Sequence, residues 1–259
     1  MLRGADVSAY QGDIDWGRVR GAGVGFAVVK ATEGLTWRDP RFSAGRWSAM
    51  RAAGLIRGAY HFARPQPGRR GRDEAAYFAS IIESVGGRDS DDLPLVLDLE
   101  WSQGLSATGV VVWSDDFGAE IKRQTGRGCI LYTGGFYKNL GQVRAPTLCG
   151  VLWIAHYGVP RPTLPWAWRD RDWTFWQYTS AGRVDGIQGN VDRDWFNGSM
   201  ADLRQLCRSD RRGAIPPCGP DTDQAELEVG EDEFETEMQR AADEQPESEP
   251  VREGDAPGA

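Results

Sequence analysis

The chain has 259 residues, of which 40% are hydrophobic and 26% charged, a balance typical of a soluble globular protein with a sizeable core. No apolar run approaches the roughly 18 residues that a membrane-spanning helix needs, and no apolar signal-peptide segment follows Met1. Two histidines are too few for a His-rich metal site, and the four cysteines lack the CxxC spacing of zinc sites.

The formal net charge of −8 is unevenly distributed. Residues 221–259 carry 15 acidic and two basic side chains, so the rest of the chain is mildly basic. From about Asp210 the sequence is acidic, contains prolines and is almost free of aromatic residues, which is typical of disorder. We therefore predict one domain over 1–209 and a disordered acidic tail over 210–259 with too little apolar surface to join the core. A short amphipathic helix near 225–242 remains an alternative.

Eight short apolar runs of β-type alternate with segments of helical spacing. The first five runs are separated by room for helices, whereas the last three follow one another through Pro- and Gly-rich loops. Runs as apolar as Leu-Pro-Leu-Val-Leu-Asp-Leu are typical of parallel strands buried on both faces. This pattern predicts a (β/α) barrel with few helices in its final third, and a doubly wound open sheet is the alternative. The predicted strands cover 4–10, 25–34, 55–63, 93–101, 128–135, 151–158, 173–180 and 190–196, and the predicted helices 15–22, 40–53, 72–85 and 108–125.

Acidic residues are concentrated where the predicted strands end. Side chains two apart on a strand point to the same side, so Asp98 and Glu100 should both face the barrel interior near its mouth. Asp6 ends the first strand and Asp192 lies in the last, and these strands are neighbours in a closed barrel. Carboxylates packed together cannot all ionise easily, so at least one pKa rises, and such an acid can protonate a glycosidic oxygen. The simpler alternative is that each acid caps a loop or pairs with an arginine.

The tryptophans, His61 and the cysteines can each be explained by a role in the fold. We expect at least half of the eleven tryptophans to lie in the core, and the others could stack on sugar rings. His61 lies inside an apolar run and is expected to be a hydrogen-bonded core residue. Cys207 and Cys218 could close a short loop by a disulfide, or all four cysteines could be free thiols.

Eight segments, which occur in order, carry a resemblance to a known family that covers roughly residues 3–207. They read DVSAYQGDIDW, VVKATEG, GAYHFARP, LVLDLEW, ILYTGGFY, LWIAHYG, FWQYTS and GNVDRDWFNG. They resemble glycoside hydrolase family 25, the Chalaropsis-type lysozymes or N-acetylmuramidases. The resemblance implies a flattened TIM-like (β/α) barrel with five β/α units followed by three strands with few helices. It also implies hydrolysis of β-1,4 bonds between N-acetylmuramic acid and N-acetylglucosamine in peptidoglycan.

The same resemblance assigns roles to individual residues. Glu100 matches the proton donor, and Asp98 matches the carboxylate that orients the substrate's 2-acetamido group. Asp6 and Asp192 match two further acids of the cleft, and Asp192 is preferred to Asp194 because it follows Gly-Asn-Val. The residues assigned to substrate binding are Tyr60, Tyr132, Trp153, Trp176, Glu33 and Tyr178.

The expected partner is the peptidoglycan glycan strand, bound by a monomer that needs no cofactor or metal and binds no nucleic acid. The site of action is the bacterial cell wall, reached either by phage-type release, as for an endolysin, or after removal of a signal. Two other functions compete with a muramidase. A barrel that binds wall glycan without cutting it is disfavoured because all four acids are present. A chitinase-like hydrolase is disfavoured because residues 93–100 lack its longer acidic strand motif.

Overall fold

A nine-stranded sheet closes on itself in the described part of the chain, which comprises residues 1–208 and 228–243 of the computed structural model. Its strands are β1 (Leu2–Val7), β2 (Val24–Glu33), β3 (Trp37–Arg38), β4 (Ile56–Phe62), β5 (Val96–Asp98), β6 (Ile130–Thr133), β7 (Val151–Ala155), β8 (Phe175–Gly182) and β9 (Val191–Phe196).

Eight of these strands form the barrel. The sheet order is β1-β9-β8-β7-β6-β5-β4-β2-β3, and an additional pairing of β1 with β2 closes the ring and leaves β3 as a short antiparallel addition to β2. The ring strands are mutually parallel except β9, which is antiparallel to both β1 and β8. The predicted barrel is confirmed, and the open sheet is excluded because β1 and β2 pair.

An α-helix follows each of the first five ring strands, and no α-helix lies between the last three in the described residues. Four of the helices lie where the sequence predicts them, and three of these begin at side-chain caps: Asp15, Ser43 and Ser106 each accept a hydrogen bond from a backbone N–H in the first turn. The five β/α units implied by the resemblance are therefore present. The helices are α1 (Trp16–Gly21), α2 (Ala44–Ala52), α3 (Gly71–Ser84), α4 (Ala107–Thr125), α5 (Gly135–Asn139), α6 (Met200–Arg208) and α7 (Glu231–Asp243).

Apolar side chains form two layers, because alternate residues of each strand face opposite sides of the barrel wall. The larger layer lies between the wall and the outer helices. The smaller one fills the barrel and ends at α6, whose Met200, Leu203 and Leu206 belong to the inner cluster. Since α6 follows the C-terminus of the antiparallel β9, it closes the end opposite the mouth. The interior is narrow, and a Cβ on Gly4 would lie 2.1 Å from the Phe26 ring.

Residues 228–243 lie in the segment for which composition predicts disorder, and there the structure differs from the prediction. Glu228 forms a β-bridge with Leu2, and α7 follows on the outer side of the barrel. Val229 and Met238 are buried, and Phe234 packs against the outer layer. Among the described residues no crossover helix covers the aromatic outer face of β8 and β9. This face is covered by α7 instead, which explains why part of the acidic segment is ordered. Residues 209–227 and 244–259 lie outside the described residues, and the boundary at 209/210 stays a prediction.

The cysteines pair differently from the candidate loop closure. Cys129 and Cys149 form a disulfide between the start of β6 and the approach to β7. Cys207 is a buried free thiol, and Cys218 lies outside the described residues. Across the helices that the structure describes, none combines the length and apolar character needed to cross a membrane.

Candidate active site

A cavity of about 290 Å³ opens at the mouth of the barrel, where the parallel strands end. All eight ring strands contribute inward-pointing side chains to its lining, and the loops after β1, β5 and β7 complete it. Its lining residues are Asp6, Ser8, Tyr10, Gln11, Lys30, Tyr60, Phe62, Val96, Asp98, Glu100, Tyr132, Trp153, Tyr157, Gln177 and Asp192.

All four acids assigned from the sequence line this cavity. Asp6 and Asp192 are direct register partners across the antiparallel pair β1–β9. Because β9 runs opposite to the other ring strands, its beginning lies at the mouth, and its second inward position, Asp194, lies deeper in the barrel. Asp194 accordingly lies beneath the cavity, fully buried, where it accepts a hydrogen bond of 3.0 Å from Trp153 Nε1.

Burial raises the pKa of several of these acids. Asp98 is 6% exposed, and burial and then repulsion from Glu100 hold its pKa well above the ordinary value. The pKa of Asp6 is also well raised, by burial first and by Asp192 second. Burial and then Glu100 raise the pKa of Asp192 to about 7. At least one proton therefore remains on this cluster near neutral pH.

Glu100 is the exposed member of the cluster. It follows Asp98 by two residues, at the rim, where more than a third of its surface is open to the cleft. Burial of its protein-facing side raises its pKa, although a hydrogen bond with Asp98 and then the nearby Lys30 oppose this. The open side keeps part of its hydration, so the loss of solvent is smaller than at Asp98. Glu100 is thus a raised-pKa carboxyl that a substrate can reach.

A hydrogen-bond network that sequence reasoning missed holds Asp6 in place. Gln177 Nε2 donates to Asp6 Oδ2 at 2.6 Å. Gln177 Oε1 in turn accepts from the hydroxyl groups of Tyr132, at 2.8 Å, and Tyr157. The two tyrosines fix the orientation of the amide, so that its N–H group points at the carboxylate. This bond favours the charged form of Asp6 and opposes the effect of burial.

Two residues assigned to substrate binding lie on the other side of the wall. Trp176 is completely buried in the outer layer, and its Nε1 donates to the His156 carbonyl at 2.7 Å. The ring of Tyr178 stacks on Trp195, and its hydroxyl donates to Glu237 of α7. Both assignments are corrected, because even-numbered residues of β8 point outward. The inward residue between them is Gln177.

The remaining assigned residues divide into two groups. Tyr60, Tyr132 and Trp153 line the cavity, as the resemblance implies. Glu33 lies at the end of β2 outside the cavity lining, where it accepts hydrogen bonds from Lys30 and Arg64. These two bonds outweigh burial and lower its pKa.

His61 is a core histidine, as expected from the sequence. It is completely buried between strand β4 and helix α3. Its Nδ1 lies 2.8 Å from Thr32 Oγ1 and its Nε2 2.8 Å from Glu74 Oε2. Burial lowers its pKa despite the glutamate.

Alternation along the strands places Gln177 and Lys30 on the inward face once one inward residue of each strand is known. Each lies an even number of residues from an inward apolar residue of its own strand, Phe175 for Gln177 and Phe26 for Lys30. The sequence of β8 does not show which face is inward, because aromatic residues lie on both faces, Phe175 inward and Trp176 outward. Tyr157 lies in a loop after β7, where no strand periodicity applies.

A barrel with a carboxylate-lined mouth, one accessible raised-pKa acid and aromatic walls is the arrangement of a polysaccharide hydrolase. Comparison with known proteins agrees with this class. The model of glycosyl hydrolases family 25 matches residues 5–187. The chain is 44% identical to Lysozyme M1 of Streptomyces globisporus over 218 residues, which cover 80% of this chain and 72% of that protein.

Two further relatives extend the comparison. The chain is 33% identical to N,O-diacetylmuramidase of Chalaropsis sp., covering 79% of this chain and 98% of the relative. The crystal structure of the bacterial lysozyme from Streptomyces coelicolor superposes with a TM-score of 0.70 at 40% identity, covering 81% of this chain and 98% of that one. The chain belongs to glycosyl hydrolases family 25 and is a glycoside hydrolase of the lysozyme type.

Proposed function

We propose that this protein is an N-acetylmuramidase that cleaves the β-1,4 bond from N-acetylmuramic acid to N-acetylglucosamine in bacterial peptidoglycan. The observation that carries the proposal is the pairing of Asp98 and Glu100 on one face of β5 and the loop after it. Both have raised pKa values, and only Glu100 is open to the cleft. The lysozymes among its relatives support the same activity.

Glu100 acts first as the general acid. Its raised pKa favours the protonated carboxyl, and its exposed position lets it give that proton to the glycosidic oxygen as the bond to the anomeric carbon breaks. The N-acetylglucosamine side leaves as the alcohol. Glu100, now a carboxylate, then removes a proton from the water that attacks the anomeric carbon, which restores the acid.

Asp98 acts on the 2-acetamido group of the substrate and on the positive charge that develops there. It orients the 2-acetamido group of the muramic acid so that the carbonyl oxygen of this group attacks the anomeric carbon, and it stabilises the positive charge that the group acquires. Asp98 belongs to the lining of the cavity, beside Glu100, which supports a contact between its carboxyl group and the acetamide. Two successive inversions at the anomeric carbon return the β-configuration in the product.

Asp6 and Asp192 surround the same reaction with negative potential. Gln177 holds Asp6, and Asp192 has a pKa of about 7, so the pair can share a proton near neutral pH. A partly ionised pair favours an oxocarbenium-like transition state over the neutral substrate, since interactions that strengthen as charge develops lower the barrier.

Analysis of the reducing ends of digested peptidoglycan tests the proposed bond. Borohydride reduction after digestion should convert muramic acid, and not glucosamine, to its alditol. Glucosamine ends would contradict the proposal and indicate a different glycosidase, and soluble chitin oligomers serve as the comparison substrate. Walls with and without O-acetyl groups belong in the assay, because two relatives carry the name N,O-diacetylmuramidase. The site of action under this proposal is the bacterial cell wall.

A further inference from the structure

Five side chains form a strip beside the cleft, in which aromatic rings and cations alternate. We name it the aromatic–cation strip, and its members are, in spatial order, Trp37, Lys30, Phe62, Arg64 and Trp101. Lys30 Nζ lies 4.9 Å from the ring centre of Trp37 and 4.8 Å from that of Phe62. The guanidinium carbon of Arg64 lies 4.6 Å from the Phe62 ring and 5.2 Å from the Trp101 ring. Each cation therefore lies within cation–π distance of two rings.

The strip begins inside the cavity and continues outside it. Lys30 and Phe62 belong to the cavity lining. The terminal residues Trp37 and Trp101 are 42% and 38% exposed, which is unusual for tryptophan in a chain that buries most of its tryptophans. Trp101 directly follows Glu100, and Phe62 is the register partner of Asp98. The strip thus borders the two acids that carry the proposed chemistry.

Its charge is opposite to that of the cavity. Glu33 accepts hydrogen bonds from Lys30 Nζ at 2.7 Å and from Arg64 Nε at 2.8 Å and Nη2 at 2.5 Å. One carboxylate with two cations leaves a net positive charge. Arg64 Nη1 has no hydrogen-bond partner within the described residues, and the Arg64 side chain is 38% exposed. An accessible guanidinium N–H beside an acidic cavity is suited to a carboxylate that arrives with the substrate.

We propose that the aromatic–cation strip binds the anionic peptide stem of peptidoglycan next to the bond that is cut. This inference rests on the proposed muramidase function. The stem is attached through the lactyl group at C3 of muramic acid, and C3 adjoins C2, whose acetamido group Asp98 would orient. The wall next to Asp98 therefore receives the C3 substituent. Exposed rings pack on its apolar parts, and Arg64 pairs with a stem carboxylate. Chitin has no such carboxylate, so the strip favours stem-bearing glycan.

The test compares two substrates that differ only in the stem: isolated glycan strands with peptide stems, and the same strands after an amidase has removed them. Wild-type protein should show a higher kcat/KM on the stem-bearing strands. Arg64→Gln should lower the ratio of the two kcat/KM values by ~10-fold, the effect of one charge-assisted hydrogen bond. The loss should appear in KM and not in kcat, because binding is equally strong in the ground and transition states. Added salt should reduce the wild-type preference, since the guanidinium is solvent-exposed.

Two further variants separate binding from folding. Trp37→Leu removes the exposed ring at the far end of the strip and should also raise KM on stem-bearing strands. Arg123→Gln is the matched control, because Arg123 is an exposed arginine paired with Glu120 on the outer helix α4, and the ratio should not change. Thermal unfolding of each variant shows whether the fold is intact.

Three results would overturn the proposal. Equal kcat/KM of the wild type on both substrates would remove the preference. An equal loss on both substrates in Arg64→Gln would show that Arg64 only braces Glu33 and the loop. Absence of muramic acid reducing ends from either substrate would overturn the muramidase function as well, so the two failures are distinguishable.

Discussion

Carboxylates at the barrel mouth and carboxylates on the outer wall have contrasting surroundings. On the wall, Asp115 accepts hydrogen bonds from Arg144 and from the Thr147 backbone, and these outweigh burial and lower its pKa. Asp116 has a similar arrangement with Arg72. At the mouth, Asp98 and Asp192 have no arginine partner among the residues that the structure describes, and burial raises the pKa of both. Wall acids therefore stabilise the fold in their charged form, whereas burial at the mouth favours the protonated form and makes ionisation of these acids costly to stability.

The strongest test of this contrast replaces a glutamate by glutamine once at the barrel mouth and once on the outer wall. Glu100→Gln should reduce turnover by at least ~10²–10⁴-fold, the usual contribution of general acid catalysis, because an amide cannot protonate the leaving oxygen. Glu120→Gln is the matched control, since Glu120 is a wall acid paired with Arg123. It should leave turnover unchanged. Release of reducing ends from soluble peptidoglycan measures both, and activity of Glu100→Gln within tenfold of the wild type would contradict the assignment.

A somewhat smaller loss is expected for Asp98→Asn. Removing the charge that stabilises the activated acetamide should cost ~10²–10³-fold in kcat, the range typical of a lost electrostatic contact at a transition state. Asp116→Asn, which removes a wall charge, should instead lower stability and leave kcat intact. An NMR time course of the wild-type reaction completes the test. The β-anomer should appear first, and early α-anomer would rule out acetamido participation.

The hydrogen bonds of Gln177 provide a further test, because they hold one of the mouth acids, Asp6, in place. Gln177→Leu removes the N–H that favours ionised Asp6, so the pKa of Asp6 should rise and the acidic limb of the pH–rate profile should move to higher pH. We expect kcat to fall about tenfold, as for the loss of one hydrogen bond to a charged group. Tyr157→Phe leaves the Tyr132 bond to Gln177 and should have a smaller effect. An unchanged pH profile in Gln177→Leu would mean that the amide does not control Asp6.

The pH dependence of the free energy of unfolding tests whether ionised acids at the mouth destabilise the fold. The pKa of Asp192 is raised from about 3.8 when unfolded to about 7 when folded, so folding favours its protonated form. This contribution is present below pH ~4 and is lost as pH rises through ~7. Asp192→Asn has no such loss, and its free energy of unfolding relative to wild type should increase from pH 4 to pH 8. Because Asp192 is partly exposed, the expected gain is on the order of 1–2 kcal/mol. A pH-independent difference from denaturant unfolding would contradict the shift.

The smallest effect concerns the outer wall where α7 packs. Phe234 stacks on Trp173 and meets Trp195 edge to face, and Glu237 pairs with Arg3 and Arg193. Phe234→Ala should lower the free energy of unfolding by about 1–2 kcal/mol, less than for a fully buried phenylalanine, and should leave turnover unchanged. The exposed Glu235 of the same helix provides the control, and Glu235→Ala should stay within about 0.5 kcal/mol of the wild type. Equal unfolding curves for the two variants would mean that α7 contributes nothing to stability.

Local sequence pattern was sufficient for the barrel and for the acids at its mouth. Apolar runs, helical spacing and the cap residues before α1, α2 and α4 are short-range features, and they predict eight strands and four helices where the structure has them. Asp98 and Glu100 share a face because side chains alternate along an extended chain, whatever the rest of the fold does.

Contacts between distant parts of the chain could be decided only by the tertiary structure. The segment FWQYTS does not by itself show which of its faces points into the barrel. Gln177 could therefore be recognised as the partner of Asp6 only from the pairing of β8 with its neighbouring strands. The disulfide between Cys129 and Cys149 likewise joins segments that no local pattern relates. The same is true of the packing of α7 against β9, through Phe234 and Trp195. The same holds for Arg64, whose two aromatic neighbours come from β4 and from the loop after β5. The physical reason is that periodicity reports the conformation of a segment, whereas burial, charge pairing and pKa depend on which other segments surround it.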